Sequence, residues 1–198
     1  MIPRHLMIAV LVMILVALVM GLYVWRMPQR ASVHPTAANT QPLAPPASGP
    51  TETVTLYVAY DDSGSLHARA ASIPLPGGRQ ARAEDLLRAL LNIYLDKSSP
   101  HPLGEGSEIR AVYLVDPGLA VIDVNAAFAN LHRSGVLVEE LTVTSLIETL
   151  SANLQGITRV KILVDGNQRD TLAGHVDLTN DFDVPAVSQL AAQLQNVP

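Results

Sequence analysis

The sequence predicts an α+β domain: a mixed, mostly antiparallel sheet with two main helices on one face, preceded by one transmembrane helix. Three observations predict it. Residues 6–25 form an unbroken apolar run with no charge and no strong polar group. Short strand patterns follow in locally paired hairpins, and two long segments carry apolar residues at helical spacing.

The run LMIAVLVMILVALVMGLYVW, Leu6 to Trp25, has the length of about 20 residues that a helix needs to cross a bilayer core. Twelve of its residues are Leu, Ile or Val, which on an insertion scale sum to roughly −4 to −7 kcal/mol. Tyr23 and Trp25 stand where an aromatic belt would sit, with Arg26 just beyond. A cleaved signal peptide is the rival reading, but it expects a shorter run and a small-x-small cleavage site, and Trp25-Arg26-Met27-Pro28 follows here. Residues 1–26 are therefore read as a single-pass cell-membrane anchor. With the N-terminus cytoplasmic, the default for so short a leader, everything after it is extracytoplasmic.

Residues 27–53 read as a linker. Prolines at 28, 35, 42, 45, 46 and 50 deny it helix and sheet, and it has few large apolar groups to offset ordering entropy. A coil of this length spans roughly 25–30 Å, and a mostly polyproline one up to about 80 Å.

The domain proper is expected over residues 54–182. VTLYVAY alternates as a strand, Asp61-Asp62-Ser63-Gly64 turns, and residues 66–73 pair back. Ala83, Leu86, Leu87, Leu90, Leu91 and Tyr94 form one stripe on a helix over about 81–97, with Glu84 and Arg88 four apart on the wet face. Residues 109–115 and 119–124 make a second hairpin around Asp116-Pro117-Gly118, and 125–131 a short helical turn. A second long helix spans 136–153, burying Val143, Leu146, Ile147, Leu150 and Leu154, and Gly156 ends it. Residues 157–164 read as the central strand, Asp165-Gly166-Asn167 as the turn after it, and 171–178 as one further strand. In the tail, residues 183–198, Asp183 is placed to cap a last helix with Ala186, Leu190 and Leu194 on one face.

Charge narrows the partners. Arg4, Arg26 and Arg30 flank the leader, so ten of the 13 basic residues face 18 acids beyond it, a formal −8. That argues against nucleic acid as a partner. The absence of cysteine excludes disulfides, thiolate metal sites, a cysteine nucleophile and a lipid-modified cysteine.

Candidate chemistry is sparse. His175 and Asp177 fall on one face of the predicted strand 171–178, as an acid/base pair or half a metal site against a plain surface pair. His67, His101 and His132 have no ligand spacing and are placed in loops or near turns. Asp61-Asp62 lacks a calcium-loop spacing and belongs to a turn. Asp123 and Asp165 end apolar strands, where a carboxylate caps the next turn. No nucleophile-elbow, phosphate-loop, zinc-protease or dinucleotide motif occurs. The reading is of a chain without enzymatic activity, cofactor or metal.

Four stretches carry a family likeness: VTLYVAY; PLGEGSEIRAVYLVDPGLAVIDVNAAF; LTVTSLIETLSANLQGITRVKILVDG; and TLAGHVDLTNDF. In this order, over nearly all of residues 54–182, they resemble a GerMN domain, the module named after a sporulation and spore-germination protein. The best-known member carries tandem copies, and this chain has room for one. The resemblance implies a non-enzymatic extracytoplasmic module, similar in form to ring-building motifs of secretion-type assemblies. It further implies an interaction or scaffolding role with envelope or membrane proteins, and makes Asp165-Gly166 a structural turn. Ligand sensing or peptidoglycan binding is the alternative, weakened by the scarcity of aromatic platforms, and an envelope hydrolase ranks last.

Overall fold

The computed structural model describes Met13, Leu18 and residues 50–195 apart from Asp116. The anchor and most of the linker lie outside the described residues. Among the described residues no helix is long and apolar enough to cross a membrane.

The chain from 50 onward is an α+β domain. Its order is β1 (Thr51–Tyr60), β2 (Ser65–Pro74), α1 (Arg79–Leu95), β3 (Ile109–Val115), β4 (Leu119–Val124), α2 (Ala126–Asn130), α3 (Val136–Asn153), β5 (Arg159–Val164), β6 (Phe182–Asp183) and α4 (Val184–Gln195). There are two sheets where the sequence reading has one. β1 and β2 form an antiparallel ribbon, and β3-β4-β5-β6 form a mixed sheet with β4 and β5 parallel. The ribbon begins at Thr51, three residues before the expected start, because its pairing runs on to Pro74 and Glu52 meets Arg82 at 2.6 Å.

Side chains of α1 and α3 keep the ribbon apart from the larger sheet. The Thr55 N–H donates to Asn153 Oδ1, whose own amide donates to the Thr55 carbonyl. The Tyr57 N–H donates to Thr149 Oγ1, and the Ala59 N–H to the buried Tyr94 hydroxyl. The free edge of β1 is thus satisfied without a neighbouring strand.

α3 is buried nearly all round between 141 and 150, so it is a central helix and not one with a single apolar stripe. It packs against β1, α1 and α4. Its hydroxyl residues tolerate this because they have partners: Thr149 takes the Tyr57 N–H and Ser145 donates to the Thr142 carbonyl. α1 buries the six residues its spacing predicts. In α4 the buried set is Val184, Val187, Ala191 and Leu194, about one residue off the expected face, and Asp183 Oδ2 accepts the Ala186 N–H as the expected cap. One apolar core joins all of these elements.

The segment 171–178 is not a strand. Only a Thr171–Asp177 bridge forms. The N–H groups a strand would give to its neighbour go instead to one carboxylate, Glu139 Oε2, which accepts from Ala173, His175 and Val176, each at 3.0 Å. Lys161 Nζ meanwhile donates to the carbonyls of Leu178 and Thr179. Side chains have replaced a sheet partner, so the segment follows their geometry and not a pleat.

Candidate functional site

Three polar clusters and one open surface compete for a functional role. In the first cluster Asp61 opens the turn after β1 and His101 lies in the loop after α1. The Asp61 carboxylate accepts from His101 Nδ1 at 2.5 Å and from Arg133 at 2.6 Å. His101 Nε2 lies 2.6 Å from Thr142 Oγ1 on α3, and His132 Nε2 lies 2.7 Å from the same hydroxyl. His132 Nδ1 donates to the Arg133 carbonyl. Burial pushes both imidazoles below the ordinary histidine range, against the pull of the Asp61 hydrogen bond on His101 and of the Arg133 carbonyl on His132.

Carboxylate, imidazole and hydroxyl stand here in the order of an acid–base–nucleophile relay. Access decides against that role. His101 and Thr142 are both wholly buried, and the single hydroxyl proton is contested by the two ring nitrogens and the Val138 carbonyl, 3.0 Å away on its own helix. No substrate reaches Thr142 Oγ1, and the cluster instead ties the β1–β2 turn, the loop after α1 and α3 together.

The second cluster is Glu139. Its side chain is fully buried and accepts five hydrogen bonds: three backbone N–H groups of 173–176, the Gly135 N–H and His175 Nδ1 at 2.9 Å. Burial works to raise its pKa, but the Val176 N–H, the His175 ring and the Ala173 and His175 N–H groups outweigh it and hold the carboxyl at about 2. His175 is therefore partnered by Glu139. Asp177, which the strand reading places beside it, instead accepts from the N–H and hydroxyl of Thr179 and from Asn180. The predicted His175–Asp177 pair is not assembled, because the segment that would align it is not pleated.

The third cluster is the Asp165-Gly166 turn. Both residues have positive φ, 51° and 74°, and Val164 and Asn167 exchange backbone hydrogen bonds across them, a two-residue hairpin turn of the mirror-image type. Asp123 at the end of β4 accepts the Gly166 N–H at 2.7 Å, and Arg110 binds Asp165 at 2.7 Å. The Asp123 carboxylate caps the turn as its position suggests, whereas the Asp165 carboxylate pairs with Arg110 instead. Of the remaining histidines, His67 lies within β2, close to the turn that opens it, and stacks edge-on with Tyr60. Among the described residues no group of three or more histidine, aspartate or glutamate side chains is arranged to hold a metal ion.

The open surface is one face of the four-stranded sheet. The register aligns Val115, Leu119 and Arg159 in one row, Tyr113, Val121 and Lys161 in the next, and Ala111, Asp123 and Leu163 in a third. The alternate residues Val112, Ala120, Ile122, Val160 and Ile162 are sealed in the core. On the outer face Tyr113 is 49 % and Val115 47 % exposed, with Leu119, Val121 and Leu163 half-buried beside them. This apolar strip is open to solvent on a sheet whose other face is largely covered.

The matched residues decide the family. A family profile described as "Germane: Sporulation and spore germination" matches residues 55–170, from β1 through the Asp165-Gly166 turn. The chain belongs to the Germane, or GerMN, family. The Germane match contains one copy of the domain. Among solved structures, the tandem GerMN domains of the sporulation protein GerM from Bacillus subtilis match at 19 % identity and a TM-score of 0.51, over 68 % of this chain and 46 % of that one. The first GerMN domain of the same protein matches at 17 % identity and a TM-score of 0.46, over 67 % of this chain and 97 % of that one. A crystal structure of a candidate lipoprotein from Clostridium perfringens matches at 21 % identity and 0.47, over 71 % and 92 %. At these identities the tandem-domain likeness speaks for the Germane fold alone. No curated protein matches the chain.

Neither Glu139 nor the His101–Thr142–His132 cluster is singled out by the sequence. One signal was present for both: hydroxyl and acidic residues on a helix whose remaining positions are apolar, as in VLVEELTVTSLIETL.

Proposed function

We propose that this Germane domain is a non-enzymatic interaction module of the cell envelope, held to the membrane by the apolar run Leu6 to Trp25 and binding a partner protein through the outer face of its four-stranded sheet. The observation that carries the reading is the strip of Tyr113, Val115, Leu119, Val121 and Leu163. Apolar patches of this kind on an otherwise well-packed domain mark protein contacts, and an exposed tyrosine supplies a rigid anchor with a polar tip. The polar clusters support it by exclusion. Glu139, His101 and Thr142 are buried with their partners inside the fold, which leaves little of this chemistry facing solvent. Family membership supports an envelope setting, since the matched family is one of sporulation and spore germination.

The test is photocrosslinking in the native host, with Tyr113 replaced by p-benzoylphenylalanine in the full-length protein. The expected result is one dominant adduct, with a membrane or envelope protein, from the membrane fraction. Recovery of the uncrosslinked protein in the medium, or an adduct only with cell-wall glycan, contradicts the reading.

A further inference from the structure

A second surface carries an inference that does not rest on the sheet face. Between α3, α4 and β6 lies a groove of about 340 Å³. Its walls are apolar: Val143 from α3, Val176 from the pinned segment, Phe182 from β6, and Val187 and Leu190 from α4. Its rim is acidic. Glu140, Asp181 and Asp183 line the mouth, and no lysine or arginine lines it with them. Asp181 is met by Arg159 at 3.1 Å and Asp183 caps α4, while Glu140 has no hydrogen-bond or ion-pair partner among the described residues.

We propose that this groove docks a segment of a partner protein that presents one large apolar side chain between lysine or arginine residues. The volume suits a single side chain of leucine or phenylalanine size with part of its backbone, well short of a folded surface. The walls supply apolar burial, and the rim supplies the sign. Glu140 and Asp183, the two rim carboxylates without a cationic partner among the described residues, attract cationic flanks and repel acidic ones, which gives specificity and encounter rate more than raw affinity.

Other occupants fit less well. A second copy of this domain brings a formal −8 of its own. Its arginines at 82, 88, 110, 133 and 159 are already paired with its own carboxylates. Anionic lipid headgroups meet the same repulsion. A bare cation lacks a ligand set, since no metal-holding group exists among the described residues, and it would leave the apolar walls unused.

The experiment uses full-length protein in phosphatidylcholine nanodiscs and the probe peptide Lys-Lys-Bpa-Lys-Lys, where Bpa is p-benzoylphenylalanine, with adducts mapped by mass spectrometry. The expected result is labelling confined to residues 143–144, 176, 182 and 186–190, at least tenfold above Glu-Glu-Bpa-Glu-Glu and falling as salt is raised. Two variants separate the ingredients. Glu140→Lys changes the rim alone, and Ala186→Trp, at an exposed position on the groove wall, fills the space without changing charge. Each should cut labelling at least fivefold at an unchanged melting temperature. Equal labelling by the glutamate peptide, adducts scattered over the surface or centred on Tyr113, no adduct at all, or full labelling of both variants overturns the proposal.

Discussion

Glu139 and Glu140 are neighbours in sequence and opposite in fate. Glu139 is fully buried and accepts five hydrogen bonds. Glu140 stands half-buried on a groove rim with no partner among the described residues. One turn of α3 thus divides the molecule's polar chemistry into an inner set that holds the fold and an outer set that is free to meet something else. The same division separates Thr142, enclosed by two imidazoles, from Tyr113, open on the sheet face. An acid or hydroxyl in this chain therefore does not signal function by its type; its partners decide.

That contrast can be broken by substitution. Removing Glu139 should cost the most. Glu139→Ala leaves three backbone N–H groups of the 173–176 segment and the Gly135 N–H without their acceptor, and should destabilise the fold by about 3–5 kcal/mol in denaturant titration. Thr142→Val should follow at about 1–3 kcal/mol, because two buried ring nitrogens lose their shared hydroxyl. A loss below about 0.5 kcal/mol at either position would mean that these clusters do not hold the fold.

Acid should act on the same two clusters in sequence. His101 and His132 are held neutral by burial, below their unfolded value, so their contribution is complete above about pH 6.5 and is lost as pH falls below it. Glu139 is held at about 2, well below its unfolded value, so its contribution is present above about pH 4.5 and is lost as pH falls toward 2. Unfolding midpoints measured across pH 2–8 should therefore fall in two steps. In Thr142→Val the upper step should change, and in Glu139→Gln the lower one should shrink. The smallest effect belongs to Glu140→Gln, within about ±0.5 kcal/mol of the parent. A loss comparable to that of Glu139→Ala would erase the distinction between the two neighbours.

Much of the fold was legible because it is written in local period. β3, β4 and α3 fall at the residues their patterns predict, 109–115, 119–124 and 136–153, and Asp165-Gly166 forms the hairpin turn its dipeptide calls for. What was not legible depends on distant partners. Segment 171–178 alternates like a strand, yet Glu139, more than 30 residues earlier, takes its N–H groups. The His101 cluster joins residues 61, 101, 132 and 142, a meeting that no spacing rule encodes. Two sheets appear in place of one because Asn153, Thr149 and Tyr94 close the β1 edge, and pattern cannot distinguish a side chain from a strand as the partner of an N–H.

The central claim is that the outer sheet face, and not the buried polar chemistry, is where this protein works. Recovery of the partner with full-length Tyr113→Arg protein from native membranes tests it most directly. The account predicts an unchanged melting temperature and at least a tenfold loss of the co-purifying partner. Undiminished recovery, with the domain equally stable, would contradict it.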